Sequence, residues 1–134
     1  MHELKLTVRL SETDALGIVY YANYLVYFDI ARIELLKEAK ITFKELKRLG
    51  YQFLCAEVNC RYLAPINLDE HISIFTWIEK IGRTSINYRH KILKEDGRIA
   101  AHGYVRDVLV DNHGNPVLIP EEWKTSLRKY MSES

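Results

Sequence analysis

The segment from residue 24 to residue 36 is apolar on nearly every side of a helix. Apolar residues at helical spacing form one continuous face, made of Tyr24, Phe28, Ala31, Leu35 and Ala39. Polar residues interrupt the segment at only three positions, Asp29, Arg32 and Glu34. Other elements must surround a helix of this kind, because its apolar sides cannot all face water. The pattern predicts a helix over about 18–40 that the remainder of the chain encloses.

Most of the remaining chain alternates polar and apolar residues with the period of strands. We predict strands over 4–10, 52–62, 71–79, 85–94, 98–111 and near 117–118. A short helix over 42–49, capped by Thr42 and ended by Gly50, follows the long helix, and another helix begins near Pro120. This order predicts an α+β protein, an antiparallel β-sheet wrapped around one long central helix. Gly103 marks a bulge or the close approach of the helix backbone.

The composition is typical of one soluble globular domain over residues 1–134. Hydrophobic residues make up 48% of the 134 residues and charged residues 28%, with a net charge of +1. This balance provides no electrostatic footprint for nucleic acid or for an anionic membrane. The longest apolar run, 18–28, is shorter than the roughly 20 residues of a membrane-spanning helix. Basic residues between 37 and 48 are interleaved with glutamates and predict a solvated helix face.

The cysteines and histidines predict neither a disulfide nor a metal site. Cys55 and Cys60 lie five positions apart in one predicted strand, so we expect them on opposite faces and unbridged. Reduced thiols favour a cytoplasmic location. The histidines lack the spacings of common metal sites. A three-residue turn at 95–97 would place His90 opposite His102, which still supplies only two ligands.

The segment before the long helix carries the residues best suited to chemistry. Asp14 precedes Gly17 by three positions, and a cluster of aromatic residues follows within 18–28. The N-terminus of a helix presents unpaired N–H groups and a positive dipole end, which stabilise a developing oxyanion. A carboxylate opposite them attacks a carbonyl or deprotonates a water that does. The structural alternative is that Asp14 only caps a turn and that the aromatic residues are core.

Four short motifs resemble those of a known enzyme family. They are Asp14-Ala-Leu-Gly17-Ile-Val19-Tyr20 with Asn23-Tyr24, then Ala31-Arg32-x-Glu34-x-Leu36, Tyr62-x-x-Pro65-x-x-x-Asp69, and Gly82-Arg83-Thr84-Ser85. In this order they resemble the 4-hydroxybenzoyl-CoA thioesterase-like branch of the hotdog-fold acyl-CoA thioesterases, which includes the Tol-Pal-associated type. The resemblance implies hydrolysis of an acyl- or aroyl-CoA, no cofactor, and a homodimer or homotetramer with active sites at the dimer interface.

The resemblance also implies roles for individual residues. Asp14 corresponds to the catalytic carboxylate, as nucleophile or general base, and the Tyr21 N–H to the donor that polarises the thioester carbonyl. Many Tol-Pal-type relatives have histidine at the position of Tyr21, whereas tyrosine resembles the hydroxybenzoyl-CoA type. The residues expected to bind the substrate, including the CoA phosphates near the 81–85 turn, are Gly17, Val19, Tyr20, Tyr24, Arg83, Thr84 and Ser85, with Lys80 as a further candidate.

Other functions and other catalytic residues stay open from the sequence. Asp29 and Glu34 are fallback catalytic acids, although Asp29 and Arg32 are also spaced to form an ion pair. The tyrosine rings of the 20–27 segment can stack on an aromatic acyl group or can be core. The alternatives are a 1,4-dihydroxy-2-naphthoyl-CoA hydrolase and a non-catalytic hotdog dimer that binds acyl thioesters or a protein partner.

Overall fold

The computed structural model describes residues 1–131, which form five strands and three α-helices. The strands are β1 (His2–Thr7), β2 (Gln52–Tyr62), β3 (His71–Ile81), β4 (Ser85–Leu93) and β5 (Ile99–Val110). The helices are α1 (Asn23–Glu38), α2 (Phe43–Leu49) and α3 (Glu121–Leu127). All strand pairs are antiparallel, in the order β1-β3-β4-β5-β2, so β1 and β2 are the edges. This arrangement confirms the α+β class.

The helix α1 is shorter than the helix predicted over 18–40, and the long central helix is not confirmed. It has 16 residues and starts at Asn23. Residues 18–22 lie outside it because Val19 pairs with Thr13 and Ile18 pairs with Asn67 in short antiparallel bridges. These β-branched side chains suit the extended conformation of a bridge.

The face of α1 that was predicted to be buried is buried. Its residues join two core clusters, one around Phe28 and Ala31 and the other around Leu35 and the indole of Trp123 in α3. On the other side of the helix, Val26 is 49% exposed and Ile33 is 44% exposed. The single chain therefore leaves part of the apolar surface of α1 uncovered.

Gly103 in β5 meets a side chain of α1, where a backbone approach was predicted. A Cβ atom on Gly103 would lie 2.4 Å from Cε2 of Phe28 and 2.5 Å from its Cζ. The Phe28 ring also stacks on the His90 ring at a centroid distance of 4.6 Å. Glycine is therefore the residue that lets the aromatic ring of α1 lie flat against the sheet.

A β-bulge in β2 overturns the prediction that the two cysteines lie on opposite faces. Cys55 pairs with Asp107 and Cys60 pairs with Gly103, and the ladder shifts by one residue between Cys55 and Glu57. Since an extra residue reverses the alternation of side chains, both cysteines point to the inner face of the sheet. Both are free thiols.

The structure confirms the predicted cap of α2, but not the strand near 117–118 or the pairing of His90 with His102. The cap of α2 is confirmed, because Thr42 accepts a hydrogen bond from the Glu45 N–H at 3.2 Å. Residues 117–118 are not a strand, since only an isolated bridge between Val110 and Pro116 forms nearby. His90 pairs with Gly103 and not with His102, because β5 carries a register shift near the turn. Within residues 1–131, no helix is both long and apolar enough to span a bilayer.

Candidate active site

Asp14 lies in a tight turn that its own backbone and side chain close. The Gly17 N–H donates to the Asp14 carbonyl at 3.0 Å, and the Asp14 N–H donates to the Ile18 carbonyl at 2.9 Å. Gly17 has a φ of +79°, a left-handed conformation that glycine adopts without strain. Oδ1 of Asp14 accepts from the Leu16 N–H at 2.8 Å, and no donor among residues 1–131 reaches Oδ2. Asp14 does stabilise a turn, and the same turn orients its partly exposed carboxyl group.

Glu12 ties this turn to the start of α1. Its carboxylate accepts from the Arg9 N–H at 3.0 Å and from the Tyr27 hydroxyl at 2.8 Å. Its carbonyl oxygen accepts from the Tyr20 N–H and from Nδ2 of Asn23, each at 2.9 Å. Burial raises the pKa of Glu12, but hydrogen bonds from Arg9 and Tyr27 outweigh it and hold the pKa below its usual value. Glu12 is therefore an ionised anchor for the loop.

The segment after β2 holds the turn from the other side. The Val19 N–H donates to the Ile66 carbonyl at 2.8 Å, and the Leu68 N–H donates to the Gly17 carbonyl at 3.0 Å. Both Val19 and Ile66 are fully buried. The backbone around Asp14 is therefore fixed by long-range hydrogen bonds as well as by its own turn.

An open cleft of about 340 Å³ lies between the start of α1 and the end of β2. Its walls are mostly apolar or aromatic and are formed by Ile18, Val19, Tyr21, Tyr24, Tyr62, Leu63, Ala64 and Pro65. The rings of Tyr24 and Tyr62 pack edge to face at 4.8 Å. Burial raises the pKa of Tyr24 and of Tyr62 to about 12, so both side chains are neutral phenols near pH 7. The Asp14 N–H donates to the carbonyl of Ile18, which lines the cleft, but Asp14 itself is not among the lining residues.

The start of α1 offers backbone N–H groups to a ligand. The N-cap residue Ala22 has no side-chain oxygen to accept a hydrogen bond from the first turn of the helix. The Tyr20 N–H donates to Glu12 at 2.9 Å and the Asn23 N–H donates to Tyr20 at 2.8 Å. Between them, the N–H groups of Tyr21 and Ala22 meet no acceptor in the described part of the chain. Amides at this position carry the positive end of the helix dipole and can polarise a carbonyl oxygen.

The structure brings five of the predicted site residues together near this cleft. Val19, Tyr21 and Tyr24 line it, and Asp14 and Gly17 form the adjoining turn. The Tyr20 ring instead packs against the ring of Tyr21 at 4.6 Å, and both rings are largely exposed.

The residues predicted to bind CoA phosphates lie elsewhere in the chain. Arg83, Thr84 and Ser85 follow β3, and the segment that bonds to Gly17 and Val19 precedes β3. At about 3.3 Å per residue, the length of β3 separates the two groups by on the order of 30 Å. Within one chain, the turn at 81–85 therefore does not meet the turn of Asp14.

The fallback carboxylates belong to ion pairs along α1. Oδ1 of Asp29 lies 3.2 Å from Nη2 of Arg32, which confirms the predicted pair. Oε1 of Glu34 lies 3.2 Å from Nζ of Lys37. Neither of these carboxylates lines the cleft, and neither belongs to the turn that is hydrogen-bonded to the cleft residue Ile18.

Two contributors to the site had no assigned role from the sequence. Tyr62 belongs to one of the family motifs, but the pattern could not show that its ring forms a wall of the cleft. Glu12 lies two positions before Asp14, and only the fold shows that it meets Tyr27 and the start of α1. A carboxylate next to a proposed catalytic loop was the available signal for Glu12.

The five-stranded antiparallel sheet with a helix packed on it agrees with the hotdog fold that the four sequence motifs imply. The chain belongs to the thioesterase-like superfamily, whose sequence profile matches residues 8–127. This membership confirms the resemblance found from the four motifs and the predicted class of enzyme.

Individual relatives agree with this assignment. The chain is 28% identical to the Bacillus subtilis (strain 168) protein named "Putative acyl-CoA thioesterase YneP", over 96% of this chain and 98% of the relative. It is 29% identical to the acyl-CoA thioester hydrolase YbgC of Escherichia coli O6:H1, over 75% of each chain. The solved structure of the gentisyl-coenzyme A thioesterase BH1999 superposes with a TM-score of 0.86 at 28% identity, over 94% of this chain and 99% of that one.

Proposed function

We propose that this protein hydrolyses acyl- or aroyl-CoA thioesters to free CoA and a carboxylic acid, with Asp14 as the catalytic carboxylate. One observation carries the proposal. The Asp14 N–H is hydrogen-bonded to the carbonyl of Ile18, and Ile18 and Tyr21 both line the cleft. This supports the proposal that a thioester bound in the cleft is within reach of both the Asp14 carboxylate and the Tyr21 N–H.

The thioester carbonyl oxygen accepts a hydrogen bond from the Tyr21 N–H, and the acyl group lies along the tyrosine-lined cleft. Asp14 then acts in one of two ways. As a general base it removes a proton from water, which attacks the carbonyl carbon. As a nucleophile it forms an acyl anhydride that water hydrolyses. In either case the C–S bond breaks, the CoA thiolate leaves, and the donors at the helix start stabilise the oxyanion.

The CoA phosphates are bound by Arg83, Thr84 and Ser85 only if these residues come from a second copy of the chain. The length of β3 keeps them about 30 Å from the Asp14 turn of their own chain. The inner face of the edge strand β2 is also uncovered, with Val58 43% exposed and Tyr62 46% exposed. We therefore expect at least a homodimer, with the active site between two chains.

A thiol-release assay tests the proposal. The protein is mixed with CoA thioesters of short aliphatic, long aliphatic and aromatic acids, including 1,4-dihydroxy-2-naphthoic acid, and free CoA is measured with a thiol reagent. We expect turnover on at least one class, and the ranking of kcat/KM values identifies the acyl group. Binding of the thioesters with no thiol release would instead support the alternative, a non-catalytic hotdog dimer.

A further inference from the structure

Tyr62 reaches the start of α1 across 41 residues of sequence. Its hydroxyl donates to the carbonyl oxygen of Tyr21 at 2.8 Å. Tyr62 is the last residue of β2, and its ring forms part of the cleft wall and packs against Tyr24. One side chain therefore connects the edge of the sheet, the cleft and the beginning of the helix.

Among the described residues, no backbone N–H of the turn before α1 donates to the Tyr21 carbonyl, which is the carbonyl that Tyr62 binds. The Asn23 N–H donates to the Tyr20 carbonyl at 2.8 Å, and the Leu25 N–H donates to the Ala22 carbonyl at 3.2 Å. The Tyr21 carbonyl lies between these two, and its bond to Tyr62 comes from outside the helix.

Because the peptide bond is planar, the hydrogen bond from Tyr62 to the Tyr21 carbonyl also affects the neighbouring N–H group. The Tyr21 carbonyl and the Ala22 N–H belong to one rigid peptide unit, so a hydrogen bond that orients the carbonyl also orients the N–H on the opposite side. It also restricts rotation at Tyr21, whose own N–H lies one Cα away. Hydrogen bonds in series polarise one another, so the bonded peptide is a better donor.

We propose that Tyr62 is a positioning residue, which holds the Tyr21–Ala22 peptide so that the amides at the start of α1 face the thioester carbonyl. The inference rests on the proposed thioesterase function. Tyr62 acts through the backbone and transfers no proton in the reaction. A hydroxyl that serves only to line the cleft would instead affect the binding of the acyl group.

The substitution Tyr62→Phe separates these roles, because it keeps the ring in the cleft and removes only the donor. We expect kcat to fall about tenfold, since misplaced donors lose transition-state stabilisation, while KM stays within about twofold. The pH dependence of kcat keeps its shape because Tyr62 carries no proton in the reaction. Tyr62→Leu, which removes the ring, also changes KM for bulky acyl groups. Tyr104→Phe, on the outer face of the sheet, is the matched control and retains wild-type kinetics.

A second measurement does not depend on turnover. Amide hydrogen exchange of residues 20–24 should be faster in Tyr62→Phe than in the wild type, and unchanged in Tyr104→Phe. Wild-type kcat together with wild-type exchange in Tyr62→Phe would overturn the positioning role. An increase in KM with unchanged kcat would instead assign Tyr62 to substrate binding. Loss of one limb of the pH profile of kcat would assign it to proton transfer. If the wild type releases no thiol, the proposed function fails, and the exchange data alone decide whether Tyr62 orders the helix start.

Discussion

The Nζ of Lys94 lies 3.4 Å from Oε1 of Glu70, and both side chains are more than nine-tenths buried. Lys94 also donates to the carbonyl of Pro65, and Glu70 accepts from the Asn67 N–H at 3.0 Å. The pair therefore fastens the 65–70 segment, which in turn holds the backbone on either side of Ile18.

We expect Lys94→Met to destabilise the fold by about 3–5 kcal/mol, because it leaves the Glu70 carboxylate buried without its cation. The free energy of unfolding in urea measures this. Lys5→Met, at an exposed position of β1, should change it by less than about 0.5 kcal/mol. Adding Glu70→Gln to Lys94→Met should restore part of the loss. Equal stability of Lys94→Met and Lys5→Met would contradict the role of the pair.

Gly103→Ala tests the contact between β5 and α1. The added methyl group overlaps the Phe28 ring, whose nearest atom lies 2.4 Å from the Cβ position. We expect a loss of about 1–3 kcal/mol from overpacking, measured by chemical denaturation. In a Phe28→Leu background the same glycine substitution should be less costly, because the smaller side chain leaves room. An additive double mutant would show that the strain lies elsewhere.

Because His90 is buried, we expect the free energy of unfolding to depend on pH. Burial, with a further effect of Arg32, holds the pKa of His90 well below 6.5, and its Nδ1 lies 2.9 Å from the Thr76 hydroxyl. Below about pH 6.5 the His90 imidazole is protonated in the unfolded chain but stays neutral in the folded chain. The free energy of unfolding therefore falls as the pH falls. The slope approaches about 1.4 kcal/mol per pH unit.

Urea denaturation between pH 7 and 5.5 measures this slope. His90→Gln should flatten it by the contribution of one group, whereas the exposed His113→Gln should not. Burial raises the pKa of Asp107, which lies 3.4 Å from Arg32, and gives a contribution of opposite sign that is present in both variants. The prediction fails if His90→Gln has the wild-type slope.

Asp14→Asn tests the catalytic carboxylate. The amide oxygen of asparagine can still accept from the Leu16 N–H, so the turn and the fold should persist. We expect turnover to fall on the order of 100-fold or more, because a neutral amide is neither a base nor a nucleophile. Asp111→Asn is the matched control, since Asp111 caps a turn in the same way by accepting from the His113 N–H at 2.8 Å. Undiminished thiol release by Asp14→Asn would remove Asp14 from the mechanism.

Val58→Glu tests the expected homodimer. Val58 pairs with the buried Val105 on the inner face of the sheet and is nevertheless 43% exposed. We expect the wild type to sediment at no less than twice the mass of the chain, and Val58→Glu to shift toward the monomer and lose turnover. Leu54→Glu changes a residue of similar exposure on the outer face of β2 and should have the smaller effect. An active wild-type monomer would contradict the prediction.

Much of the secondary structure could be predicted because it depends on local periodicity. The buried face of α1, the strand β2 and the Thr42 cap were all found this way. The prediction was wrong where a single residue changed the register. The bulge after Cys55 brought Cys60 onto the same face, and alternation along a strand contains no signal for such an insertion.

The sequence by itself determined the α+β class, the family and the local turn of Asp14, because a short spacing between an aspartate and a left-handed glycine is enough to close that turn. Only the tertiary structure decided that Tyr62 meets Tyr21 and that Glu12 meets Tyr27. Such contacts depend on strand order and on packing between distant segments, and the energies that select them are summed over the whole fold rather than encoded in any one stretch of chain.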